Sequence, residues 1–409
     1  MMKEEKYIKK RIWKARIQSI PFYFCRVFPI KKKKIVFCCI EGTTGYTCNP
    51  KYIAEELIKK QSEYELVWLV NDVRKEFPKE IEVVKNTLWN RAYHLATAKL
   101  WIDNSRKQLE VRKRKGQIYV QTWHAKLGFK PTCLDRGASF STIAYLVSKH
   151  DSDMVDYWLS NSDWYDKTLK SGSLYEGKTL RTGSPRCDIL VKASQDKKIK
   201  NDIKQKLCNL CGITSENLDD IHFLMYAPTF RGGSQGTDRT IEVGNHFPNY
   251  NTLKENLEKR FGGRWIIALR LHPQLVVRNL DAKVSNPTNH IAIDVSRVDD
   301  MYEILAGCDA FMTDYSSAAF DAAVMRIPVF LYCDDYAQYE GERGKLLWDL
   351  RRLPFPLAVN NIELEQNIRR FDDKTYQMGL EQLFENAMMV EDGRAAENVV
   401  IKMQELTRL

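Results

Sequence analysis

The stretch from Ile35 to Val70 reads IVFCCIEGTTGYTCNPKYIAEELIKKQSEYELVWLV, and its order decides the fold class. Ile35–Ile40 is a wholly apolar run of strand length. A turn follows through Gly42-Thr43-Thr44-Gly45. A helix opens near Asn49-Pro50, since proline is tolerated in a first turn, and places Ile53, Leu57 and Ile58 on one face. Tyr64–Val70 is a second apolar run. Strand, helix and strand in this order predict a βαβ unit with parallel strands covered on both faces.

Downstream the alternation continues. Ala98–Asp103 and Gln117–Thr122 are strand candidates, the latter running directly into Trp123-His124. A second series begins near Leu180 and takes in Phe223–Ala227, Trp265–Leu271, Ala310–Thr313 and Val329–Tyr332. With 409 residues, 44% of them hydrophobic and 11% aromatic, two cores of ordinary size are expected. The predicted divisions are 35–178 and 179–363, followed by helices over 364–409. Lys197–Leu210 reads as a polar surface helix, and Gly232–Asn251 as a loop.

Upstream lies a basic arm, residues 1–34. It holds 12 of the 63 Lys and Arg against Glu4 and Glu5, so the other 375 residues balance at 51 charges of each sign. A neutral body argues against nucleic acid as a partner. The arm also carries Tyr7, Trp13, Ile17, Ile20, Phe22, Phe24 and Phe28, with apolar character broken by Pro21, Arg26 and Pro29. Its apolar run is shorter than the roughly 20 residues that cross a bilayer, and no small-residue cleavage site follows it. A basic, aromatic, amphipathic helix suits an anionic membrane surface, and a helix packed on the body is the alternative.

Ten cysteines form no disulfide framework: Cys38 and Cys39 are adjacent in a strand-like run, and Cys308 and Cys333 lie in or beside apolar stretches. Cys208 and Cys211 make a lone CxxC without a second pair, so no metal site is expected. The pattern fits a reducing compartment. Asp151-Ser152-Asp153 follows no apolar strand and reads as a solvated loop or helix start.

Ligands of open parallel sheets bind beyond the carboxyl ends of the strands. Four polar clusters fall at such ends. Thr122-Trp123-His124 offers an imidazole suited to general-base work. Ala227-Pro228-Thr229-Phe230-Arg231-Gly232-Gly233 sets Arg231 beside glycines that admit phosphate. Arg270-Leu271-His272-Pro273 puts Arg270 and His272 on one side of a strand end. Thr313-Asp314-Tyr315-Ser316-Ser317 precedes a helical segment, where hydroxyls and backbone N–H groups favour anions. Taken singly each cluster is weak: a structural role fits it at least as well, and for the lone histidine of the first cluster better.

Taken in order, with Asn49-Pro50-Lys51 and Thr182-Gly183-Ser184-Pro185-Arg186, the clusters resemble the CDP-glycerol:poly(glycerophosphate) glycerophosphotransferase family over about residues 35 to 345. The resemblance implies a glycosyltransferase-B-like α/β fold, two Rossmann-like domains facing a cleft, with the donor held mainly by the C-terminal one. It implies His124 as catalytic base and His272 as a second functional histidine beside the donor pyrophosphate. Donor and phosphate contacts fall to Arg231, Arg270, Thr313, Ser316 and Ser317, with Asp321 at the ribose or glycerol end. The sequence departs from the family pattern at Ala125, where Gly is usual, and at Ser184, where an aromatic is frequent.

The implied reaction is attack of an acceptor hydroxyl on the β-phosphorus of CDP-glycerol, releasing CMP. It uses no metal or other cofactor. The implied acceptor is a lipid-linked teichoic-acid-like or capsular polymer, which would place the enzyme at the cytoplasmic face of the membrane. A CDP-ribitol donor, an inverting nucleotide-sugar transferase on the same fold and a silent nucleotide-binding scaffold remain alternatives.

Overall fold

The computed structural model describes residues 2–214, 217–229, 247–271, 292–343 and 345–407. It divides into two compact units. The first comprises 1–126, 131–188 and 389–409, and the second 127–130 and 189–388.

The first unit is built on seven parallel strands: β1 (Lys31–Cys38), β2 (Glu65–Val70), β3 (Ile81–Lys85), β4 (Ala98–Asp103), β5 (Ile118–Gln121), β6 (Tyr157–Ser160) and β7 (Lys178–Arg181). They are ordered β3-β2-β1-β4-β5-β6-β7. Side chains alternate across β1, as a strand requires. Ile35, Phe37 and Cys39 enter one core, and Val36 and Cys38 the other. Each face has a cover that the βαβ pattern does not reveal. Val399, Val400 and Met403 of the last helix, Ala395–Thr407, join the first core. Phe22 and Cys25 join the second.

The basic segment is therefore only partly an arm. A helix spans Met2–Gln18 and a short one Ile20–Phe24, and β1 begins at Lys31, four residues before the apolar run. Lys34 is buried, donates from Nζ to Thr97 Oγ1 at 3.1 Å and lies 3.6 Å from Glu65 Oε1. Two other expectations also change. Lys178–Arg181 pairs with β6 as the outer strand of this sheet rather than opening the second series. Asp151-Ser152-Asp153 lies inside the helix Thr142–Met154, with Asp151 and Ser152 buried rather than solvated.

The second unit repeats the plan with β8 (Ile221–Tyr226), β9 (Arg264–Leu269), β10 (Ala292–Asp294), β11 (Ala310–Thr313), β12 (Val329–Tyr332) and the short β13 (Leu357–Ala358). Their order is β10-β9-β8-β11-β12-β13, again all parallel. Both sheets thus contain the doubly wound order 3-2-1-4-5-6, whose strand order reverses between the first and fourth strands. That reversal opens a crevice at the carboxyl ends of β1 and β4 in one unit, and of β8 and β11 in the other.

All ten cysteines are free thiols, and all but the half-buried Cys211 are buried.

Candidate functional site

In the first unit the crevice is formed by the residues following β1, β4 and β5. The chain leaves β5 through Trp123, whose φ of 48° is left-handed and unusual for a bulky residue. Such a conformation costs about 1–3 kcal/mol and persists where the surroundings fix it. Here both peptide groups of Trp123 are held. Its N–H donates to Gln121 Oε1 at 3.0 Å, and its carbonyl accepts from Asn49 Nδ2 at 2.7 Å. Asn49 also accepts from the Arg186 backbone N–H at 3.1 Å. Arg186 Nη1 in turn donates to the His124 carbonyl at 2.6 Å. Three segments far apart in sequence thereby fix one turn.

The turn presents His124, half-buried, with Nδ1 2.7 Å from the Asn104 carbonyl oxygen. A carbonyl only accepts, so Nδ1 carries the proton and Nε2 is left as the basic nitrogen. Burial pushes the imidazole down to about 4; the Asn104 bond opposes it, and the cations Arg186, Lys126 and Arg106 each add a smaller push downwards. The ring is neutral at physiological pH, the state a proton acceptor needs.

In the second unit the crevice loops are tied to each other. Asp314, after β11, accepts the Thr229 backbone N–H at 3.0 Å and its hydroxyl at 2.9 Å. Thr313 Oγ1 donates to the Ala227 carbonyl at 2.6 Å. Ser316 and Ser317 follow, both half-buried, at the start of the six-residue helix Ala318–Ala323. Ser316 Oγ accepts from Ala318 N–H at 3.3 Å, whereas Ser317 makes no side-chain capping bond. Residues 127–130 also belong to this unit. The Phe129 ring lies 4.8 Å from that of Phe320, and a Cβ placed on Gly128 would stand 3.6 Å from Ser317 Cβ.

The sequence-predicted residues separate accordingly. His124 is at the first crevice, and Ser316 and Ser317 are at the second. Thr313 is fully buried with its hydroxyl given to the backbone. Arg270 is engaged with the backbone. Its buried guanidinium donates to the carbonyls of Val295 at 3.0 Å and Ser296 at 2.9 Å, and also to those of Val298 and Asp299. Burial lowers its pKa. Asp321 is no exposed helix acid: it is buried and accepts from the Tyr302 hydroxyl at 2.5 Å. Arg231 and His272 lie outside the described residues. Among the described residues no cluster of three or more His, Cys, Asp or Glu is arranged to hold a metal ion.

Residue-type reasoning alone gives no role to Asn49, Asn104, Gln121 or Asp314. Asn49 carries a usable signal, as a polar residue set directly before a first-turn proline. The others act through bonds that form only once distant strands align.

Two doubly wound sheets, each with its polar residues at the reversal of strand order, define the class of nucleotide-handling α/β proteins. The family model for CDP-Glycerol:Poly(glycerophosphate) glycerophosphotransferase matches residues 21–404, and the chain belongs to that family. It is 26% identical to a teichoic acid poly(glycerol phosphate) polymerase of Bacillus spizizenii over 98% of this chain and 99% of that one. It is 27% identical to a teichoic acid glycerol-phosphate transferase of Staphylococcus aureus, over 96% and 98%. Against the poly(glycerol phosphate) polymerase of Staphylococcus epidermidis, also 27% identical, the match takes in 90% of this chain but only 50% of the relative's length. Among solved structures, the wall teichoic acid polymerase TagF in a CDPG-soaked variant aligns with a TM-score of 0.77 at 25% identity, covering 100% of this chain and 98% of that one.

Proposed function

We propose that this chain transfers glycerol phosphate from CDP-glycerol to a hydroxyl of a membrane-linked teichoic-acid-like polymer, releasing CMP. The observation that carries the reading is the fixed tautomer of His124, which leaves Nε2 as a base in a chain belonging to the glycerophosphotransferase family. His124 Nε2 takes the proton of the acceptor hydroxyl as its oxygen bonds to the β-phosphorus. The bond from that phosphorus to the bridging oxygen breaks, and CMP leaves with the electron pair. Phosphoryl transfer demands positioning and charge stabilisation above all. Ser316 and Ser317, with Arg231 and His272, are assigned to the donor phosphates. The reading follows a glycosyltransferase-B division of labour, with the acceptor handled by the first unit and the donor by the second.

The membrane part of the reading rests on the first 28 residues. Ile8, Ile12, Ala15, Ser19 and Phe22 are the more buried stripe of this segment. Trp13, Ile17, Ile20 and Phe24 recur at helical spacing and are exposed, Trp13 at 65% and Phe24 at 60%. Lys and Arg flank them, as on helices that lie in an anionic interface. Among the described residues no helix is long and apolar enough to cross a membrane. A peripheral position on the cytoplasmic face follows from this reading.

The test is CMP release by the purified chain given CDP-glycerol and a lipid-linked phosphopolymer. CDP-ribitol is the second donor to try, because a teichoic acid poly(ribitol-phosphate) polymerase of Bacillus spizizenii is 27% identical over 92% of this chain. Acceptor-dependent CMP from one donor identifies the substrate. None from either, with the acceptor verified by a known transferase, overturns the reading.

A further inference from the structure

Behind the Trp123-His124 turn lies a buried polar network that proton transfer does not use. Its centre is Gln121, fully buried at the end of β5. Gln121 Nε2 donates to the Ser105 carbonyl at 3.0 Å and to the Tyr119 hydroxyl oxygen at 2.8 Å. A longer contact of 3.5 Å runs from the same nitrogen to Asp151 Oδ2, and Oε1 is left to accept the Trp123 N–H. The Tyr119 hydroxyl donates onward to Asp151 Oδ1 at 3.0 Å. The same oxygen accepts the Lys107 backbone N–H at 2.8 Å. Asp151 therefore reaches both strands that define the histidine's geometry: β5 through Tyr119 and Gln121, and the residues after β4 through Lys107.

The second branch is equally closed. Asp103 Oδ1 accepts from Ser105 N–H at 2.8 Å and from its hydroxyl at 2.9 Å, while Lys107 Nζ pairs with Oδ2. Asn104 sits inside this turn, and its carbonyl is the one that His124 Nδ1–H addresses. Asn104 Nδ2 is buried without a hydrogen-bond partner among the described residues, but the bonds made by Asp103, Gln121 and Asp151 tie down the backbone on both sides of it.

We infer that Asp151 and Tyr119 act through Gln121 as positioning residues that hold His124 in its Nδ1–H tautomer. The inference rests on His124 being the base. None of the three touches the imidazole. Each instead fixes the backbone on one side of it: Gln121 at the Trp123 N–H, and Asp151 at the loop containing Asn104. Burial raises the Asp151 carboxyl to about 6, with Arg106, Asp103, Lys107 and Tyr119 as its charged or titratable neighbours. A carboxylate is kept in this place by its donors.

The test uses the full chain and two readouts. The ¹⁵N shifts of the His124 ring, assigned by their loss in His124→Gln, report the tautomer without any substrate. CMP release from CDP-glycerol gives kcat and KM. Tyr119→Phe removes only the hydroxyl linking Gln121 to Asp151, and Gln121→Leu removes the acceptor for Trp123. Both are expected to mix the tautomers and to lower kcat about tenfold or more, with KM for CDP-glycerol within about twofold, since small misplacements of a catalytic group are costly. Asp151→Asn, which keeps an oxygen facing Tyr119 and Lys107, is expected to retain more turnover than Asp151→Ala. Wild-type tautomer and kcat in folded Tyr119→Phe and Gln121→Leu overturn the inference, as does equal loss in the two Asp151 variants. Undiminished turnover in His124→Gln instead removes the base assignment, and the tautomer readout then still judges the positioning.

Discussion

The Nδ1–H of His124 meets the backbone carbonyl of Asn104 at 2.7 Å. Because the acceptor belongs to the main chain, the ring's orientation is a property of how β4 and β5 align, with Asp103 opposite Gln121. No side-chain replacement at position 104 deletes the oxygen. The acceptor is thus built into the backbone, and substitution can reach the pair only through the ring or through the side chains that hold the two segments in place.

His124→Gln keeps most of the side-chain volume and removes the basic nitrogen. Turnover is expected to fall by roughly 10²–10⁴, the usual worth of a positioned base. Binding of CDP-glycerol, followed by calorimetry, is expected to stay unchanged because the donor is assigned to the second unit. A large loss of donor affinity with turnover preserved at saturation would contradict the base assignment.

The depressed imidazole has a kinetic signature. Free histidine titrates near 6.5, whereas His124 is held at about 4. Its neutral form therefore survives as pH falls through 6. The acid limb of kcat/KM, which reports the free enzyme, is expected below pH 5. A limb at about 6.5 would show an imidazole exposed to water rather than held neutral by burial.

His94 tests the same physics through stability. It is buried on the helix Leu88–Thr97, and burial followed by the charge of Lys34 lowers its pKa to about 4. Between about 6.5 and 4 the unfolded chain binds the extra proton, so stability is present above 6.5 and lost as pH falls towards 4. Other groups titrate over this range, so the comparison is between wild type and His94→Gln. The fall in Tm from pH 7 to pH 5 is expected to be smaller in the variant. An equal fall would mean that His94 takes up its proton in the folded state without penalty.

Arg270 is expected to behave as a structural residue. Its guanidinium holds carbonyls of the segment after β10, and a buried acceptor left unsatisfied costs about 1–3 kcal/mol. Arg270→Met is expected to lower Tm by several degrees while the folded fraction keeps its KM for CDP-glycerol. A raised KM at unchanged Tm would return Arg270 to the phosphates.

Which strands were legible in the sequence follows from their place in the sheet. β1, β2, β4 and β5, and β8, β9, β11 and β12, lie inside their sheets and read as near-continuous apolar runs. The four outer strands, β3, β7, β10 and β13, do not stand out in the sequence, and neither does β6, an inner strand of only four residues, Tyr157–Ser160. Lys178–Arg181 is exposed or half-buried along its length, and Leu357–Ala358 has only two residues, so neither presents an apolar run. His124 was legible because it directly follows an inner strand. The roles of Gln121 and Asp151 were not, because a buried amide or carboxylate looks like any surface polar residue until its partners from other elements are in place.

The same distinction between inward and outward residues decides how membrane attachment should be tested. Deleting residues 1–34 would strip Phe22 and Cys25 from the core and remove the first four residues of β1. Emptying the Phe22 site alone is worth about 3–5 kcal/mol, so loss of vesicle binding after deletion would report unfolding. The exposed stripe offers a cleaner test. Trp13→Glu with Phe24→Glu changes two side chains that are mostly in solvent, and Tm is expected to move little. Sedimentation with vesicles containing anionic lipid is expected to drop, and more at 0.5 M salt than at 0.1 M, because the remaining attraction of the basic residues is screened there. Binding that survives both changes would place the membrane contact elsewhere on the protein and leave Trp13, Ile17, Ile20 and Phe24 as a surface awaiting a different partner.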